Sequence, residues 1–93
     1  MRETIEERFQ TFHVQNPNVY AALCRLARQA ISKGRTRVGM KMLFEVVRWE
    51  VYLSTKDEAF KLNNVFTSRY ARLIMDNEPD LAGAFELREL KSL

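Results

Sequence analysis

Apolar positions recur along the chain with helical spacing in four stretches, separated by short polar breaks. Thr4 and Glu7 form the T-x-x-E pattern of a capping box, and Ile5, Phe9 and Phe12 follow at i, i+4, i+7. That predicts a short helix with a narrow apolar stripe, ending near His13–Gln15. "NPNVYAALCRLARQAISKG" predicts the second helix. Asn16 is placed to cap it, Pro17 suits its first turn and Gly34 is placed to end it. Val19, Tyr20, Leu23, Leu26, Ala27, Ala30 and Ile31 make one face, and Arg25, Arg28, Gln29 and Ser32 the other.

From about Val38 to Leu53 most positions are apolar, with Lys41, Glu45, Arg48 and Tyr52 as the outward stripe. A helix apolar around most of its circumference is expected to be the central, buried one. Glu50 falls on its apolar side, between Leu43 and Val46, so an arginine from another helix is the expected partner. "STKDEA" is a polar connection. The fourth helix, to about Asp76, is capped by Asn63 or Asn64 and presents Phe66, Tyr70, Leu73 and Ile74 inward. Asn64, Ser68 and Arg72 face outward, flanked by Ala71 and Met75. Arg69 sits at the boundary, a candidate partner for Glu50 or for a C-terminal acid.

"AFELREL" alternates Phe85 and Leu87 with Glu86 and Arg88. It reads as a strand able to pair with "AFKL" in a two-stranded ribbon, or as a final helix. The expected fold is mainly α: one domain over residues 1–93, a compact bundle of about four helices. A winged-helix arrangement with a short two-stranded β ribbon is one form this admits. With 3 glycines and 2 prolines, the chain lacks the turn punctuation of an all-β fold.

Composition adjusts this picture in few places. Hydrophobic residues are 46% and charged residues 29%, a globular balance. No apolar run approaches the ~20 residues of a membrane span. "MRETIEERF" has no apolar core of a signal peptide, and Cys24 has no second cysteine to bridge. Both point to a cytoplasmic setting. The net charge of +3 is unevenly spread. From Arg25 to Phe44 lie six basic residues and no acid, whereas Asp76 to Glu86 holds only acids.

Candidate chemistry is sparse. His13 and Cys24 are the one histidine and the one cysteine, and Cys24 lies beside an apolar helix face. No metal-ligand spacing and no glycine-rich phosphate loop occurs, so no enzyme, metal site, cofactor or small-molecule substrate is inferred. The cations of "SKGRTR" and the outward face of the fourth helix remain. Arg35, Arg37 and Lys41 can neutralise phosphates. Asn64, Ser68 and Arg72, one turn apart, are side-chain types that reach base edges and phosphates. The resulting expectation is a non-catalytic protein binding double-stranded DNA, with a helix–turn–helix whose turn is lengthened. The alternative is a protein-binding inhibitor, adaptor or dimeric assembly module acting on a host or phage protein. In that alternative Trp49 and Tyr52 anchor a partner, or acidic and basic faces pair between two copies.

Three segments, "FHVQNPNVYAALCRLA", "GMKMLFEVVRWE" and "FKLNNVFTSRYARLIMDNEPDLAGAFELREL", resemble a group of small proteins of bacteria, phages and prophages. The resemblance spans most of the chain. It implies a host or phage cytoplasm and favours DNA transactions or interference with a host protein, without assigning a role to any residue.

Overall fold

The computed structural model of the chain describes residues 3–54 and 62–85. Four α-helices run in order: α1 (Ile5–Gln15), α2 (Pro17–Ser32), α3 (Met40–Ser54) and α4 (Thr67–Asn77). A 3-10 turn at Asn64–Phe66 leads into α4, and another at Pro79–Leu81 follows it.

Local signals set most of these boundaries. The Thr4 hydroxyl accepts the Glu7 amide at 3.1 Å while Glu7 reaches back to the Thr4 amide at 3.4 Å, so the capping box forms. Asn16 sits at the junction of α1 and α2, but its side chain donates to the Phe12 carbonyl at 3.0 Å rather than capping α2. Pro17 opens α2, where its missing N–H costs nothing. At the other end Gly34 adopts φ +97°. The Arg35 amide then reaches the Ala30 carbonyl at 3.1 Å and the Gly34 amide the Ile31 carbonyl at 3.0 Å. This is the paired bonding of a Schellman stop, which needs a residue free of Cβ strain. Of the two asparagines, Asn63 is the cap, accepting from the Val65 amide at 3.0 Å.

The core gathers one face of each helix. Val19, Leu23, Cys24, Leu26 and Ala27 come from α2; Met40, Leu43, Phe44 and Val47 from α3; Tyr70, Ala71 and Ile74 from α4. Phe9 of α1 and Val38, Leu62, Phe66, Leu81, Ala84 and Phe85 complete it. Each large side chain contributes roughly 1.5–3 kcal/mol by leaving water, before the entropy of ordering it. Tyr70 is the centre, with Phe9, Phe12, His13 and Phe44 packed edge-on around its ring.

Several expectations change here. Ala71, expected outward, is buried. The centre of the core belongs to α4, not to α3. On α3, Met40, Leu43, Phe44 and Val47 are buried and Val46 and Val51 pack against the core, while Met42, Trp49 and Leu53 lie exposed on the other side. Met42, Trp49, Tyr52 and Leu53 are 60%, 58%, 73% and 64% exposed. An apolar wheel alone does not say which arc a fold uses.

Among the described residues there is no strand. Phe85 makes one isolated parallel bridge with Val38, whose amide donates to the Ala84 carbonyl at 2.7 Å. The expected ribbon falls largely on residues 59–61 and 86–88, and the polar connection on 55–59; both lie outside the described residues.

Candidate nucleic-acid interface

The expected phosphate contacts begin where α2 stops. Gly34 turns the chain, and Arg35, Thr36 and Arg37 are exposed on the connection to α3. Val38 is buried and tied to Ala84 and Phe85, so the loop is anchored from beneath. Lys41 follows in the first turn of α3, also exposed. Local geometry thus alternates: a turn, two cations, an apolar anchor, a cation.

The described cations sort into two groups. Four arginines are engaged by acids. Arg25 bonds both oxygens of Glu50, at 2.7 and 3.0 Å. Arg28 forks onto Asp80 through Nε at 2.8 Å and Nη2 at 3.1 Å, and reaches Glu78 at 2.6 Å. Arg69 holds Glu6 at 3.0 Å, and Arg48 pairs with Glu45. By contrast, Lys33, Arg35, Arg37 and Lys41, like Arg8 and Arg72, form no ion pair with an acid among the described residues. The arginine–acid pairs are mostly solvent-exposed, so each adds little to stability. Their consequence for a site is larger: a paired arginine offers less net charge to a phosphate.

Two pairing expectations are corrected by this sorting. The partner of Glu50 is Arg25 of α2, not Arg69, because Arg69 points across to α1. The acids after α4, expected to meet a basic face on a second copy, are met by Arg28 of the same chain. The Arg28 guanidinium holds both the Glu78 and Asp80 carboxyls below the usual carboxylate range. Tyr20 donates its hydroxyl to Glu78 at 3.0 Å, and burial above all pushes that phenol up to about 12.

The outward set on the fourth helix is divided between two neighbours. Asn64 accepts from Arg48 of α3 at 2.7 Å, and Arg48 also bonds the Leu62 carbonyl. Asn64 thus latches the start of the 3-10 turn to α3. Ser68 and Arg72 lie instead beside α1, in a shallow groove of about 260 Å³ that they share with Arg69, Glu6, Gln10 and Asp76. Two carboxylates in one groove oppose a phosphate there. The structure therefore brings Arg35, Arg37 and Lys41 together along one connection, and joins neither Ser68 nor Arg72 to them by any contact. Lys33, absent from the expected set, extends the loop group; its signal was the acid-free run itself.

Of the two groups with nucleophilic potential, Cys24 lies in the core and His13 is half-buried beside it. Cys24 is buried, which raises its thiol above the ordinary range and disfavours the reactive thiolate. His13 stacks on Phe9 at 6.0 Å and tilts against Tyr20 at 5.4 Å. Among the described residues no group of three His, Cys, Asp or Glu side chains could hold a metal ion. No described helix is long and apolar enough to cross a membrane.

No protein-family model, no curated protein and no solved structure matches the chain.

Proposed function

We propose that this chain is a non-catalytic nucleic-acid-binding protein that grips a phosphate backbone through Lys33, Arg35, Arg37 and Lys41. One observation carries this. These four exposed cations fall within nine residues and have no acid partner among the described residues, while Arg25, Arg28, Arg48 and Arg69 are each matched to an acid. Uncompensated cations on an anchored loop release counterions when they meet a polyanion. Such contacts position a protein on a duplex and carry no sequence preference. Asn64 and Arg72 are given no base contact in this proposal, since the first is held by Arg48 and the second sits near Glu6 and Asp76. A winged form, with a wing from the 59–62 and 85–88 segments, would add a second phosphate contact and is not required by the loop. The resemblance to phage and prophage proteins makes an accessory or regulatory role in DNA transactions the setting we favour.

Fluorescence anisotropy with a labelled duplex at two salt concentrations tests the proposal. Binding that weakens steeply with salt is expected; no binding at low salt would remove it. A second proposed reading, a protein-binding module, draws on a different observation: the exposed large apolar side chains of α3.

A further inference from the structure

Two aromatic rings on α3 stand apart from the rest. Every other aromatic ring among the described residues is buried or half-buried, whereas Trp49 and Tyr52 are exposed. They stack on each other, with centroids 5.7 Å apart and planes 28° from parallel. Each ring covers part of one face of its neighbour and leaves its other face to solvent. A flat π surface of this kind accepts another flat π surface, and nucleic-acid bases stack on it whatever their sequence.

The rings share a helix face with the end of the basic loop. At about 3.6 residues per turn, Tyr52 lies roughly 20° from Lys41 around the axis of α3, and Trp49 roughly 80°. At about 1.5 Å per residue, Trp49 and Tyr52 lie roughly 12 and 16 Å along the helix from Lys41. That interval spans about four to five nucleotides of a stacked strand at its ~3.4 Å rise. Single-strand sites on proteins begin at about that length.

No unmatched acid interrupts the path between the cations and the rings. α3 carries two acids, Glu45 and Glu50, and they pair with Arg48 and Arg25. Met42 lies exposed on the same outer arc and adds apolar surface without charge. Cations alone grip any polyanion. Rings alone accept many flat or apolar partners. Charge followed by a stacking surface along one helix face fits a polymer that carries phosphates together with open base faces. In a duplex those faces are covered by the neighbouring base pairs, so an unpaired strand is the form that offers them.

We propose that the surface from Lys33 to Tyr52 binds single-stranded nucleic acid, with phosphates on the loop cations and bases stacked on Trp49 and Tyr52. This rests on the phosphate contact proposed for the loop and names the form of nucleic acid that gains most from it. A duplex still meets the loop through its phosphates but lacks the stacking. The rings therefore add an increment of affinity that salt leaves alone, on top of the salt-dependent one from the cations.

Trp49 is the one tryptophan of the chain, so its emission reports on its own surroundings. The probes are oligo(dT) and oligo(U) of about 12 nucleotides, and a longer duplex in which few base faces lie at ends. Binding is read by Trp49 fluorescence and by the anisotropy of a labelled strand. The single strands are expected to quench Trp49 and the duplex is not; the tighter of the two identifies the preferred sugar. Trp49→Ala/Tyr52→Ala is expected to lose at least ~10-fold in single-strand affinity, with duplex affinity held within about 2-fold and the salt slope unchanged. Trp49→Phe/Tyr52→Phe keeps two rings and is expected to recover most of the loss. Both positions are exposed, and unchanged helical circular dichroism would show that the variants fold. Single-strand binding that leaves Trp49 emission unmoved, or that survives Trp49→Ala/Tyr52→Ala undiminished, would overturn the inference and leave the outer face of α3 to a protein partner. So would salt-dependent binding of the duplex with none of either single strand. If salt-dependent binding is missing for the duplex as well, the loop reading fails and this inference fails with it.

Discussion

The ring of Tyr70 stands at 88° to the ring of Phe9, with centroids 4.8 Å apart. This edge contact joins α4 to α1 at the centre of the core, where the Tyr70 hydroxyl is buried with no hydrogen-bond partner among the described residues. A buried hydroxyl that gives up water for nothing costs about 1–3 kcal/mol. Tyr70→Phe keeps the ring and removes the cost. The variant is expected to gain about 1 kcal/mol and roughly 5 °C in Tm by scanning calorimetry. A lower Tm would mean that the hydroxyl is satisfied.

Arg28 ties the turn after α4 to α2 through Glu78 and Asp80. Both carboxyls are held below their unfolded values, first by the hydrogen bonds from Arg28. A carboxyl depressed in the folded state contributes stability that is present above its unfolded value. That stability disappears as pH falls through the folded value. Thermal melts are therefore expected to lose Tm as pH falls below about 4.5, the ordinary range of unfolded carboxylates. Arg28→Met is expected to show a shallower fall over the same window. Identical pH profiles for the two proteins would show that Arg28 does not set these carboxyls.

Gly34 stops α2 with φ +97°, and a Cβ built there would meet nothing within 4 Å. The cost of Gly34→Ala is thus backbone strain alone, about 1 kcal/mol. A denaturant midpoint lowered by that free energy divided by m, with an unchanged m-value, is expected. A neutral substitution would mean that the turn relaxes to a helical conformation, lengthening α2 into the basic loop.

Much of this fold was legible in local signals. The Thr4–Glu7 capping box, Pro17 at the start of α2 and Gly34 at its end each involve residues within a few positions of one another, and each does what its type predicts. What local spacing could not carry were long-range choices. Phe85 pairs with Val38 across 47 positions, and nothing near either residue signals the other. Glu50 called for an arginine, but Arg25 and Arg69 were equally eligible until the helices were placed. On α3 the exposed Met42, Trp49 and Leu53 are of the same apolar type as the buried Met40, Leu43 and Val47, so the outer arc could not be told from the inner one. In the candidate interface, Arg35, Arg37 and Lys41 were marked by the acid-free run that holds them. Asn64, Ser68 and Arg72 were grouped by spacing alone, and the neighbours that divide them, Arg48 on one side and Glu6 with Asp76 on the other, come from distant parts of the chain.

The central claim is that the loop from Lys33 to Lys41 meets the phosphates, and the salt dependence of duplex binding tests it most directly. Four phosphate contacts per protomer give a slope of log Kobs against log salt of about −3 to −4. Arg35→Ala/Arg37→Ala is expected to flatten that slope by about 2 units, and Asn64→Ala/Arg72→Ala to leave it near the parent value. A slope unmoved by the loop substitutions, or flattened instead by those at Asn64 and Arg72, would contradict the account and return the contact to the face of α4.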